Sequence, residues 1–137
     1  MKSIYHLTVR GYELDSFGHV NNAVYLPYAD AAKWDFFNQT GLLENITADG
    51  YFPVILENNL RYMHELKMMD EVAVETTWKC GSSIMEYKHI IRNQTSGQIA
   101  CKVTGKLVFV NHERIICDVP DFIKKYVECN ELENRNI

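Results

Sequence analysis

The stretch from about Ala23 to Thr40 limits the folds open to this chain more than any other. It reads Ala-Val-Tyr-Leu-Pro-Tyr-Ala-Asp-Ala-Ala-Lys-Trp-Asp-Phe-Phe-Asn-Gln-Thr, and Gly41 follows where a helix C-cap belongs. Val24, Tyr25, Tyr28, Ala31, Ala32, Trp34, Phe36 and Phe37 spread around most of the circumference of such a helix, which one resting on a single surface could not satisfy. The pattern predicts a helix wrapped on most sides. Pro27 costs a backbone hydrogen bond beyond the first turn, so the helix either starts later than Asn22 or bends there. Asp30 and Lys33, spaced i and i+3, can pair with each other, or Asp30 can point back toward the segment before the helix.

The rest of the chain supplies the wrapping. Ile4 to Leu14 alternates Tyr5, Leu7 and Val9 against His6, Thr8 and Arg10, the period of a half-buried strand. Leu42 to Gly50 reads as a polar connection, and Phe52 to Tyr62 as a second strand, with Pro53 near its start where a missing donor is tolerated. After a loop from His64 to Asp70, Val72, Val74, Thr76 and Trp78 alternate with Ala73, Glu75, Thr77 and Lys79. Gly81-Ser82-Ser83 turns the chain into Ile84 to Arg92, and Asn93 to Gly97 turns it into Gln98 to Val110, an antiparallel meander. Pro120-Asp121 opens a short helix over about 120–128, and 131–137 reads as frayed. The expected fold is α+β: one domain over 1–137, a five-stranded antiparallel sheet curled around the central helix, with one helix end near the surface.

With 137 residues, 47% of them apolar, the chain can fill a core without staples. A net charge of −4 and the lack of a basic stripe argue against a nucleic-acid surface. No apolar run approaches the roughly 20 residues of a membrane span, and Met1-Lys2-Ser3-Ile4 lacks a signal peptide's apolar core, so a cytoplasmic protein is expected. Cys80, Cys101, Cys117 and Cys129 are widely spaced, with no pairing at metal-ligand distance, and read as reduced thiols; no metal site is expected. The three Asn-x-Thr sequons, at Asn38, Asn45 and Asn93, carry no weight without a secretory signal.

Between the first strand and the helix lies Asp15-Ser16-Phe17-Gly18-His19-Val20-Asn21-Asn22, with Tyr25 just beyond. A carboxylate, an imidazole and two carboxamides meet here at a helix N-terminus, where backbone N–H groups point outward. Taken singly, each residue has an ordinary reading: Gly18 as a turn, Asp15 and Asn22 as caps, Tyr25 as a core aromatic, His19 as a solvent-facing histidine. Taken together, they have the parts for acyl-transfer chemistry. N–H groups near Gly18 and His19 are the donor type that stabilises a carbonyl oxyanion. No serine nucleophile with a paired base is visible, since Gly81-Ser82-Ser83 lacks the flanking pattern of a nucleophile elbow. His6, His64, His89 and His112 have no comparable company.

From about Val9 to Pro120 the sequence resembles the hotdog-fold acyl-CoA thioesterases of the 4-hydroxybenzoyl-CoA thioesterase type. The likeness is carried by Asp15-x-x-Gly18-His19-Val20-Asn21-Asn22-x-x-Tyr25 and Tyr28-x-Asp30-x-Ala32-Lys33, then by Tyr62, Asp70-Glu71-Val72, Gly81-Ser82-Ser83-Ile84 and Gly105-Lys106-Leu107-Val108-Phe109-Val110. The resemblance implies hydrolysis of an acyl thioester on coenzyme A or acyl carrier protein by a homodimer or homotetramer, with sites between subunits and no cofactor beyond the coenzyme A of the substrate. Asp15 matches the family's catalytic aspartate, a nucleophile or a base for water. Asn22 matches a polar catalytic position, often His in bacterial relatives, and His19 and Asn21 match the His-Val-Asn-Asn string of plant carrier-protein thioesterases. Phe17 departs from those plant enzymes, which have Asn there, so their water-positioning scheme does not carry over. Gly18 would assist Asp15 through its backbone; Asn21, Tyr25, Phe17, Ser82 and Ser83 would line the substrate route. Arg61, Lys67, Lys79 and Lys88 are available for coenzyme A phosphates or as plain surface charge. Two other classes stay open: a hydratase or dehydratase on the same fold, and a non-catalytic acyl-CoA-binding module.

Overall fold

The computed structural model describes residues 2–135, with side chains up to residue 128. β1 (Lys2–Thr8) is followed by a 3-10 turn at Gly11–Glu13 and a second at Asn22–Val24, which runs into α1 (Tyr25–Gln39). α2 (Leu42–Ala48), β2 (Phe52–Tyr62), β3 (Glu71–Cys80), β4 (Met85–Asn93), β5 (Ile99–Val110), β6 (Ile116–Cys117) and α3 (Asp121–Arg135) complete the order. The sheet is antiparallel, in the order β1-β3-β4-β5-β2, and the two-residue β6 pairs with β5 as a sixth strand beside the five expected.

The first strand is shorter than its alternation suggests. Thr8 pairs with Glu71, the first residue of β3, so beyond it there is no strand to pair with. The chain bends, Glu13 N–H bonding to the Arg10 carbonyl at 3.0 Å. The connection expected over Leu42 to Gly50 is also different: it contains α2, because Leu42 and Ile46 share one helical face and are both buried. Gly41, at φ 78°, separates α1 from α2. The last helix runs on to Arg135, past the expected 128 and through part of the segment read as frayed; residues 136 and 137 lie outside the described residues.

α1 starts later than Asn22, as Pro27 requires. Val24 is its N-cap, which puts Pro27 third in the first turn, where an N–H has no partner to lose. Tyr25, Tyr28, Ala29, Ala32, Lys33, Phe36 and Phe37 form one buried stripe, while Leu26 and Trp34 stay 38% and 39% exposed. One chain therefore covers the helix on its sheet side and leaves the far side open. The N-terminal half of α1 packs on Leu7, Val9, Val72, Val74 and Ile91, and the C-terminal half on Trp78, Met85, Leu107 and Phe109. Its contacts with the sheet run from β1 across to β5.

Candidate active site

The segment before α1 folds as a small hairpin. Asp15 N–H bonds to the His19 carbonyl at 2.8 Å, Leu14 and Val20 form a bridge, and Asn21 N–H bonds to the Glu13 carbonyl at 3.0 Å. Gly18 sits at φ 81°, a value that an L side chain rarely adopts, and its N–H closes the turn on the Asp15 carbonyl at 3.1 Å. Asp15 is partly buried. Its Oδ1 accepts from Phe17 N–H at 2.9 Å and from His19 N–H at 3.4 Å, and Oδ2 takes part in neither bond.

This geometry alters the expected oxyanion site. The N–H groups of Gly18 and His19 are spent inside the turn, Ala23 N–H is capped by Asn21 Oδ1 at 2.9 Å, and Val24 N–H by the Asn21 carbonyl at 2.9 Å. Asn22 N–H, at the start of the 3-10 turn, takes part in none of these bonds. Asn21 is thus a cap. The exposed Asn22 also fixes Tyr62, whose hydroxyl donates to its carbonyl at 3.2 Å.

Phe17 stands at the turn's tip, 82% exposed. His19 turns toward Glu65, with Nε2 and Oε2 3.0 Å apart. Tyr25 is buried against Tyr28 and Tyr62, ring centroids 6.2 and 5.5 Å away, with its hydroxyl by the Leu66 backbone; burial pushes its phenol up to about 12. It belongs to the same buried cluster as Leu66. Ser82 and Ser83 lie in the turn after β3, whereas the hairpin adjoins its beginning. The ten residues of that strand separate the two places by about 30 Å within one chain. Ser83 bonds to Asp118 at 2.9 Å, and the Ser82 carbonyl accepts from Val119 N–H, so both tie β6 to the sheet. Lys79 and Lys88 line a depression of about 990 Å³ together with Glu57 and Glu86.

Two groups of residues had no place in the sequence reading of the site. Glu13, 7% exposed, accepts from Tyr28 Oη at 2.8 Å and from Arg10 N–H at 2.7 Å; burial and this carboxylate push the Tyr28 phenol far up. The second group lines a cavity of about 560 Å³ between α1 and β2, with Leu26, Ala31 and Ile55 on its walls and Lys33, Asn58, Tyr87 and His89 among its polar groups. His89 is 1% exposed and shares a 2.7 Å hydrogen bond with Thr76; burial, then Lys33, lowers it to about 4, so it is neutral. Lys33, buried, pairs with Asp30 at 2.8 Å and lies over the Trp34 ring at 4.6 Å. The Tyr87 hydroxyl bonds to Asn58 Oδ1 across β5 where Gly105 stands, because a Cβ there would land on both groups. Only the second had a sequence signal: His89 continues the inward-facing register of Met85, Tyr87 and Ile91, whereas Glu13 lies beyond the end of β1 and is buried by the 3-10 turn.

A long helix against a curled antiparallel sheet defines a hotdog-fold protein. Residues 9–127 match the family model described as the thioesterase-like superfamily, and the chain belongs to that family. The long-chain acyl-CoA thioesterase FadM of Escherichia coli is 32% identical over 68 residues, 50% of this chain and 52% of that protein. The chloroplastic acyl-acyl carrier protein thioesterase ATL3 of Arabidopsis thaliana is 27% identical over 120 residues, 86% of this chain and 63% of that protein. The chain thus spans between about half and two-thirds of these relatives. The DHNA-CoA thioesterase of Staphylococcus aureus shares the fold, with a TM-score of 0.85, 20% identity, and 99% of this chain and 95% of that one covered. Among the described residues, no cluster of His, Cys, Asp and Glu is placed to hold a metal ion, and no helix is long and apolar enough to cross a membrane.

Proposed function

We propose that this chain is an acyl-CoA thioesterase, of the 4-hydroxybenzoyl-CoA thioesterase type in the layout of its site, and that Asp15 is its working carboxylate. The observation that carries this reading is the hairpin turn. It engages one oxygen of Asp15 and leaves the other, in the segment that leads into α1. In one route Oδ2 attacks the carbonyl carbon, the carbon–sulfur bond breaks, thiolate leaves, and water hydrolyses the resulting anhydride. In the other, Oδ2 takes a proton from water, whose oxygen attacks the same carbon. Asn22 N–H is the donor we assign to the carbonyl oxygen, at the positive end of the helix entry. His19, held by Glu65, and Asn21, as a cap, shape the site around it. The cavity beside Lys33 and His89 is a seat for the acyl group, since its volume lies in the range of small-molecule sites.

β2 is an edge strand of eleven residues, with Phe52, Val54 and Leu56 exposed, and a second copy pairing along it would cover that edge. Homodimerisation in the cytoplasm is therefore part of the proposal. Thiol release from short, long and aromatic acyl-CoAs, and from an acyl carrier protein, tests the function. Asp15→Ala should lower kcat at least about 100-fold with folding intact. Equal turnover by both proteins would remove Asp15 from the chemistry, and turnover of the carrier-protein substrate alone would move the assignment to that class. Trapping with hydroxylamine under single turnover separates the routes, since only the anhydride formed by attack of Asp15 leaves a hydroxamate on that carboxyl or on the acyl group faster than the thioester itself reacts.

A further inference from the structure

A hairpin of nine residues, Glu13 to Asn21, does not hold a position by itself. Asp15 rides on it, so the anchors of the hairpin decide where that carboxylate stands. The returning limb is fastened to the connection between β2 and β3: Val20 N–H bonds to the Leu66 carbonyl at 2.8 Å, and His19 pairs with Glu65. The outgoing limb is fastened by the Glu13 carboxylate. Its Oε1 accepts from Arg10 N–H at 2.7 Å and from Tyr28 Oη at 2.8 Å, and its Oε2 lies 3.6 Å from the Arg10 guanidinium. The Glu13 backbone carbonyl, receiving Asn21 N–H, also closes the hairpin's base.

A leucine would fill this space without the desolvation that a carboxylate suffers. What the carboxylate adds is direction, because a charge-assisted bond to a buried phenol has a short, fixed geometry. Tyr28 is the fourth residue of α1, so that bond ties the hairpin to the helix whose N-terminus the carbonyl oxygen would face. We propose that Glu13 and Tyr28 are positioning residues that together hold Asp15 in register with the entry of α1. This inference rests on the reading of Asp15 as the working carboxylate.

Tyr28→Phe removes the donor and keeps the ring. It should lower kcat about 100-fold, the usual effect of displacing a reacting group by about 1 Å, with KM within about twofold. Glu13→Leu should do the same, and Glu13→Gln, whose amide oxygen still accepts from Tyr28, should recover to within about tenfold of wild type. The double variant Glu13→Leu/Tyr28→Phe should be no slower than either alone, and in an Asp15→Ala background Tyr28→Phe should change the residual rate less than about twofold. Amide exchange of residues 14–20 should quicken at least about tenfold in Tyr28→Phe while β3 and β4 keep their protection, a readout that needs no turnover. Wild-type kcat together with wild-type exchange in Tyr28→Phe would overturn the inference. Full activity in Asp15→Ala would overturn the catalytic reading instead, and the exchange result would still decide whether Glu13 and Tyr28 brace the hairpin.

Discussion

His89 makes the stability of this fold depend on pH in a direction and by an amount that the structure supplies. Its ring is 1% exposed, bonded to Thr76, packed 4.9 Å from the Tyr87 ring and 6.4 Å from Trp78, with Lys33 and Asp30 as the charged groups acting on it. Burial first, and Lys33 second, lower its pKa from 6.5 to about 4, while Asp30 opposes them. A folded-state pKa below the unfolded value means that protons bind the unfolded chain more readily. The contribution of neutral His89 is therefore complete above pH 6.5 and is lost as the pH falls toward 4. With about 1.4 kcal/mol per pK unit, the loss is about 2 kcal/mol by pH 5 and about 3 kcal/mol by pH 4. His89→Gln cannot titrate. Urea unfolding of both proteins at one fixed concentration, at pH 7.5, 6, 5 and 4.5, isolates the term, since the carboxylates contribute alike to each. Between pH 7.5 and 5 the wild-type midpoint should fall about 1 M further than that of the variant, for a slope of about 2 kcal/mol per M. Parallel pH profiles would mean that His89 is solvated or already charged at neutral pH, and the neutral floor of the cavity would go with it.

Two other substitutions test the frame. The protein should sediment as a dimer at micromolar concentration, and Leu56→Lys on the exposed face of β2 should shift it toward monomer; a wild-type monomer would count against pairing along that edge. Gly105→Ala should destabilise by about 1–3 kcal/mol, because the added Cβ meets Tyr87 and Asn58 and forces them apart, and an unchanged melting temperature would show that β5 yields instead.

The elements that were legible in the sequence are those whose patterns are local. The meander followed from alternation and from turns rich in Gly, Ser and Asn, and β3, β4 and β5 pair consecutively as that alternation requires. The elements misread are those decided by a distant partner. β1 stops at Thr8 because β3 begins at Glu71, a fact of register that no window around residues 4–14 contains. α2 hid behind polar composition because only two of its residues, Leu42 and Ile46, are buried. The apolar circumference of α1 was read as the wrapping of one helix by one chain. Leu26, which lines the cavity, and Trp34 remain outside that wrapping.

The same division runs through the site. Spacing along the chain showed that Asp15, Gly18, His19, Asn21 and Asn22 share a short segment, but not which of their backbone donors the segment consumes in holding its own shape. A tight turn has few N–H groups, and every one that stabilises the turn is lost to a substrate, which moves the candidate donor from Gly18 and His19 to Asn22. His89 was visible as a polar residue in inward-facing register, and Glu13, buried by a turn, was not; each is the kind of local contradiction that a fold tolerates where it gains position or recognition. One braces the hairpin against α1 and the other lies beneath the space beside it. The brace and the cavity thus share the first two turns of a single helix, Tyr28 bonded to the hairpin and Leu26, Ala29 and Asp30 lining the cavity, and that is how an apolar helix can position polar groups that come from elsewhere.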